Sequence, residues 1–142
     1  MKAPPPSDPE QGIYRGRKIA RRFVSPDGFT VLVGRTAPDN DLLSLELCEP
    51  WDFWFHLATD AGSHVVVRNP ERVDRLPEAT RRFAAGLAAG YSKGRGARRA
   101  TVHAARGADV SKHRGQPPGE VTLARWKSLT VEPVRADDAP SE

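Results

Sequence analysis

The run Asp52-Phe53-Trp54-Phe55-His56-Leu57 alternates strictly, and a short loop separates it from Gly62-Ser63-His64-Val65-Val66-Val67-Arg68. Aromatic and β-branched residues at a period of two mark strands. Two such runs joined this closely predict an adjacent antiparallel pair. Successive side chains of a strand point to opposite faces. Phe53, Phe55 and Leu57 are therefore expected to face a core, with Asp52, Trp54 and His56 together on the other side. His64, on the returning strand, is expected beside that row, with the amides of the Gly62-Ser63 turn close by. A chain committed to this hairpin needs a sheet around it and something apolar to cover the sheet.

The rest of the sequence supplies both. Pro77 suits the first turn of a helix, and Ala79, Phe83, Ala84, Leu87, Ala88 and Tyr91 then share one helical face, with Gly90 and Gly94 as stops. Ser25-Pro26-Asp27-Gly28 is turn chemistry ahead of a strand over Phe29-Thr30-Val31-Leu32-Val33, ending at Gly34. Asp39-Asn40-Asp41 offers side-chain oxygens to a helix start, which places a short helix over residues 42–47 before Pro50. Leu43, Leu45 and Leu47 also alternate as a strand would, and the helix is the preferred reading. Thr101-Val102-His103, Val121-Thr122-Leu123 and Leu129-Thr130-Val131 predict three more short strands between Gly and Pro punctuation. The expected class is α+β: a single domain with a mostly antiparallel sheet, covered by one main helix plus a short helix. It spans residues 13–134, after a proline-rich disordered leader over 1–12 and before a flexible acidic tail over 135–142.

Charge narrows the choice of partner. Lys and Arg number 22 against 18 acids, for a net charge of +4. The excess is concentrated: Arg15, Arg17, Lys18, Arg21 and Arg22 lie together without an acid, and Lys93, Arg95, Arg98, Arg99, Arg106, Lys112 and Arg114 accompany Asp109 alone. Polyanions are the first class of ligand for such a distribution. One cysteine, Cys48, excludes an internal disulfide and is expected as a small buried hydrophobe. The amino terminus has no apolar stretch of the signal-peptide kind, so a cytoplasmic protein with no membrane partner is expected.

Two places carry candidate chemistry. The Asp52-Trp54-His56 row with His64 reads in three ways. His56 and Trp54 fill half-buried space, or Trp54 stacks a base while the polar groups contact sugar or phosphate, or Asp52, His56 and His64 act as catalysts on RNA, one histidine as acid and the other as base. These three side chains make no tight metal motif, and no standard metal, nucleotide or cofactor signature is present, so neither metal nor cofactor is expected. The second place is Tyr91-Ser92-Lys93-Gly94-Arg95-Gly96-Ala97-Arg98-Arg99, read either as a solvated loop with incidental charge or as a site where glycines let the backbone approach a phosphate among four cations. Ser111-Lys112-His113-Arg114-Gly115 is a second basic loop that can converge on it.

Taken in order, Ser25-Pro26-Asp27-Gly28, Val33-Gly34-Arg35, Asn40-Asp41-x-Leu43, Asp52-Phe53-Trp54-Phe55-His56, Gly62-Ser63-His64-Val65, Ala88-Ala89-x-Tyr91-Ser92 and Pro118-Gly119-Glu120-Val121 resemble the RNA-binding domain of the NFACT family. The resemblance runs from about Arg22 to Pro133. In larger family members this domain follows others in a protein that engages tRNA on a stalled large ribosomal subunit, and stand-alone bacterial members exist. The resemblance implies binding of RNA, tRNA foremost, with the ribosome or tRNA-modification machinery as further partners. It does not imply tailing of nascent chains. A protein-interaction adaptor on the same machinery is the remaining alternative.

Carried over residue by residue, the resemblance falls on Gly34, Arg35, Asn40, Asp52, Trp54, His56, Gly62, Ser63, His64, Tyr91 and Ser92. Arg35, at a strand end, is placed to fork a phosphate or to pair with Asp39 or Asp41. Gly62 and Ser63 are placed to offer turn amides to another phosphate. Ala61 departs from the family pattern, which usually has proline there, and should loosen the hairpin loop. The stretch Val110-Ser111-Lys112-His113-Arg114 departs where members usually run basic into proline.

Overall fold

A computed structural model describes residues 3–134. In chain order its strands and helices are β1 (Ile13–Tyr14), β2 (Arg17–Lys18), β3 (Ala20–Val24), β4 (Thr30–Gly34), α1 (Ala37–Leu42), β5 (Phe53–Leu57), β6 (Val65–Val67), α2 (Glu78–Gly90), β7 (Ala100–Arg106), β8 (Val110–Ser111), β9 (Thr122–Leu123) and β10 (Lys127–Val131). Six strands form one antiparallel sheet in the order β10-β7-β5-β6-β4-β3. This is the α+β domain expected, and the hairpin that most constrained the sequence, β5 with β6, lies at its centre.

The alternation in β5 sorts the sheet into two faces. Phe55 and Leu57 join Phe23, Val31, Val33, Val65, Val67 and Val102 in a core capped by Ala84, Leu87 and Ala88 of α2. Each fully buried Val or Leu of this kind contributes about 1.5–3 kcal/mol. On the other face Trp54 packs with Ile19, Leu32, Leu43, Leu47 and Val66. That second core was not anticipated, since this face of β5 was expected to carry a polar-aromatic row rather than a core. Its cover comes from α1 and a π-helical segment over Leu43–Leu47. Among the described residues no helix is long and apolar enough to cross a membrane.

Several boundaries differ from the sequence reading. The short helix starts at Ala37, because Thr36 rather than Asp39 caps it: the Thr36 hydroxyl accepts from the Asp39 N–H at 3.2 Å, and Pro38 sits in the first turn. Asp39, Asn40 and Asp41 are thus helical. In α2, Ala79 is exposed and Thr80 is buried, its hydroxyl donating to Asp27 at 2.7 Å. Strand β3 lies where only a basic segment was read, since Arg21 and Arg22 obscure its pattern. Cys48 is partly rather than fully buried, against the second core. The disorder expected over residues 1–12 is not what the described part of that segment does. Asp8 pairs with Ile13 in a bridge, Pro9–Gln11 form a 3-10 turn, and Glu10 ion-pairs with Arg68 at 3.0 Å. The tail over 135–142 lies outside the described residues.

Candidate functional site

The β5–β6 register pairs Phe53 with Val67 and Phe55 with Val65, so one further step sets His56 opposite His64. Their ring centroids are 5.0 Å apart, edge to face, and the Trp54 ring stands 5.1 Å from His64 and 5.9 Å from His56. The structure therefore brings Trp54, His56 and His64 together, as the alternation predicts.

It does not make them a stacking platform. Trp54 is 2% exposed, so no base can lie on it. Its indole N–H donates to Ser44 Oγ at 2.8 Å, and Ser44 Oγ lies 2.6 Å from His64 Nδ1. His64 Nε2 is 2.9 Å from the Gly119 carbonyl, which can only accept. Nε2 therefore carries the proton, Nδ1 accepts from Ser44, and the chain runs from Trp54 through Ser44 and His64 to Gly119. Burial, chiefly, and the neighbouring His56 lower the His64 pKa to about 4, so the ring is neutral near pH 7. Both its nitrogens are engaged, which leaves neither for the acid–base role considered from sequence. Burial also lowers the pKa of His56, with His103 adding to the effect against the backbone of Gly62 and Leu57.

Asp52 does not join the row. It is fully buried beyond Trp54, where it accepts from Arg68 Nη1 at 2.5 Å, from the Asn69 N–H at 2.8 Å and from the Glu49 N–H at 2.9 Å. Burial is the largest influence on this carboxyl and pushes its pKa up, against those three donors. Arg68, itself only 9% exposed, is the partner that sequence reading missed. Asp52 ties the entry of β5 to the exit of β6 and faces neither histidine.

Gly34, Asn40, Gly62, Ser63 and Ser92 form a second framework. Asn40 Oδ1 accepts from the His64 N–H at 3.1 Å, and a side chain on Gly34 would run into that amide, so only glycine lets α1 sit this close to β4. Gly62 bridges Ser92, and a Cβ on it would overlap the Ser92 side chain. The Ser63 hydroxyl donates to the Gly34 carbonyl at 2.8 Å and its N–H to the Tyr91 carbonyl at 2.9 Å, so that turn amide, expected to be free for a phosphate, is taken. Ser92 Oγ donates to the Ala89 carbonyl at 2.6 Å and accepts from the Gly94 N–H at 3.0 Å. Ala61 leaves the hairpin loop tethered all the same, because its carbonyl accepts from the Lys93 N–H at 3.0 Å.

What this framework presents is charge. Ala61, Gly62, Tyr91, Ser92, Lys93 and Arg95 line an open groove of about 490 Å³. Lys93, Arg95, Arg98 and Arg99 are exposed, and none forms an ion pair with a described residue; Arg95 Nη1 donates to the Ser92 carbonyl at 3.2 Å. Arg21 stands over the Tyr91 ring at 5.4 Å. Arg35 is also exposed and unpaired among the described residues, because Asp39 is held by Arg17 at 2.9 Å and Asp41 by Lys112 at 3.1 Å. The second loop reaches the same strand ends from the opposite face through Gly119. Its Lys112 is engaged by Asp41 and by the Pro117 and Glu120 carbonyls, whereas Arg114 is exposed. Among the described residues no three His, Cys, Asp or Glu side chains gather as a metal site.

A two-faced antiparallel sheet that carries a basic loop beside a buried Trp-Ser-His chain defines a binding domain whose polar residues serve mainly to hold the loops. Residues 20–125 match the family described as the NFACT protein RNA binding domain, and the chain belongs to that family. It is 34% identical over 119 residues to the Rqc2 homolog RqcH of Streptococcus suis, covering 83% of this chain and 21% of that protein. It is 31% identical over 115 residues to the Rqc2 homolog RqcH of Bacillus subtilis, covering 81% and 20%. Ribosome quality control complex subunit 2 of Schizosaccharomyces pombe is 34% identical over 88 residues, 58% of this chain and 9% of that one. The chain thus spans about a fifth or less of the length of these relatives. The C-terminal part of the fibronectin/fibrinogen-binding protein of Streptococcus suis superposes with a TM-score of 0.78 at 31% identity, covering 87% of this chain and 49% of that one.

Proposed function

We propose that this domain binds structured RNA, tRNA foremost, through the basic loop over residues 93–99 together with Arg35 and Arg114, in ribosome-associated quality control or tRNA metabolism. The carrying observation is the set of cations at Lys93, Arg95, Arg98 and Arg99 that pair with no described acid, on a loop anchored to the sheet by Ser92 and Gly62. Unpaired cations on a fixed support suit phosphate recognition, because no internal ion pair has to be broken before the ligand is held. Tyr91 and Gly62 line the groove beside them, and Ser63 ties the turn to Gly34 and Tyr91. Asn40, Trp54, His64 and Ser92 set loop positions and act on RNA through that geometry, while Asp52 supports the fold by tying β5 to β6. The names of the relatives support the cellular setting, and the family supports the ligand.

Crosslinking of the tagged protein in its own cells, with sequencing of the bound RNA, tests the reading. Enrichment of tRNA that is lost when Arg95, Arg98 and Arg99 are changed to Glu is the expected result. Equal recovery of RNA with the variant refutes the role of this loop. Absence of any RNA above background refutes the ligand.

A further inference from the structure

The three tryptophans have different surroundings. Trp54 is buried, and the face of Trp51 is covered by the Arg72 guanidinium at 3.6 Å from the ring centroid. Trp126 is 50% exposed, although leaving so large a ring in water forgoes much of the gain from its burial. It stands just before β10, an edge strand of the sheet, and is not among the residues that line the Gly62 groove. Its ring lies 5.4 Å from that of His103, tilted by 44°.

His103 pairs with His56 on one side and with Ser128 on the other, so a row of imidazole, imidazole and hydroxyl crosses β5, β7 and β10, with Trp126 leaning against it. Arg125, exposed, precedes the indole in sequence, whereas Lys127 shares the parity of Leu129 and Val131 and turns to the α2 face of the sheet. Arg125 is 88% exposed, and its contact to Asp109 is long at 3.6 Å. A half-bare indole beside an imidazole, with an exposed arginine next to it in the chain and a hydroxyl in the same row, fits an unpaired nucleobase. The aromatic face takes the base, and Arg125 takes an adjoining phosphate. We infer that Trp126 and His103 form a stacking site for a single unpaired nucleobase of the bound RNA, distinct from the basic loop at residues 93–99. This inference rests on the RNA-binding reading above and adds to it a preference for RNA with an unpaired segment.

The test compares a labelled short uridine oligoribonucleotide with an abasic oligonucleotide of equal length and charge. The wild type is expected to bind the uridine oligomer more tightly, and Trp126→Ala to lose on the order of 5- to 100-fold for it while binding the abasic strand as before. Trp126→Phe should keep most of the preference, and His103→Ala should lose part of it. Because Trp126 is half exposed, Trp126→Ala is expected to melt as the wild type does. Uridine-dependent quenching that is present in the wild type and absent from Trp126→Phe locates the base on this indole. A wild type that binds both strands equally overturns the stacking site and leaves RNA binding intact. A Trp126→Ala variant with undiminished preference does the same and leaves the indole to a protein partner. A wild type that binds neither strand, nor tRNA, overturns both proposals.

Discussion

Ser44→Ala isolates the interaction that turns the Trp54-His56-His64 cluster from an apparent ligand site into a structural support. The hydroxyl accepts from Trp54 Nε1 at 2.8 Å and donates to His64 Nδ1 at 2.6 Å, and all three residues are buried. Removing it leaves one buried donor and one buried acceptor without their protein partner. At about 1–3 kcal/mol for each orphaned group, the loss is about 2–6 kcal/mol. For a domain of this size, that lowers the melting midpoint by roughly 5–20 °C. Calorimetry or urea unfolding measures the loss directly, and a cycle with Trp54→Phe tests its origin. Phe removes the orphaned N–H, so the double variant should cost less than the sum of the two single changes by on the order of 1–2 kcal/mol. A Ser44→Ala protein within about 0.5 kcal/mol of wild type, a range usual for inconsequential surface changes, refutes the chain of hydrogen bonds. Strict additivity in the cycle does so as well.

His64 makes stability depend on pH. Its folded pKa, about 4, lies below the ordinary value of 6.5, so the unfolded chain takes up the proton first as pH falls. The contribution is whole above about pH 6.5, declines as pH falls, and is exhausted below about pH 4. Its full size is about 3 kcal/mol. Unfolding curves of wild type and His64→Gln should therefore converge across that window, and parallel curves would contradict the assignment. Asp52→Asn leaves Arg68 buried without its carboxylate and should cost about 3–5 kcal/mol in urea unfolding, while the RNA affinity of the remaining folded fraction is unchanged. Loss of affinity without loss of stability would return Asp52 to the ligand surface.

Much of this fold was legible because its central element follows the simplest rule. The alternation from Phe53 to Leu57 assigned the faces correctly, and α2 announced itself through Pro77 and its apolar face. The environment of the polar residues was not legible. Asp52 has the parity of Trp54 and His56, but its fate is decided by Arg68, sixteen positions away in sequence, and by two backbone amides. The choice between Trp54 as a filler of half-buried space and Trp54 as a stacking surface stayed open because nothing near it in sequence reveals the π-helical segment that brings Leu43, Ser44 and Leu47 over the sheet. The leucines of that segment fit strand and helix equally. Trp126 had a visible signal in the run Arg125-Trp126-Lys127, a large aromatic between two cations ahead of a strand, and His103 had none until the register placed it beside His56. The basic loop was legible in composition. That its cations pair with no described acid needed the structure, and so did the exposure of Arg35, whose expected partners Asp39 and Asp41 are taken by Arg17 and Lys112.

The central claim, that RNA is held by the unpaired cations of the loop over residues 93–99, is tested most directly by the salt dependence of tRNA affinity. The wild-type association constant should fall linearly on logarithmic axes, and Arg95→Ala, Arg98→Ala and Arg99→Ala combined should flatten the slope by roughly one for each phosphate contact removed. A triple variant with the wild-type slope and affinity would contradict it.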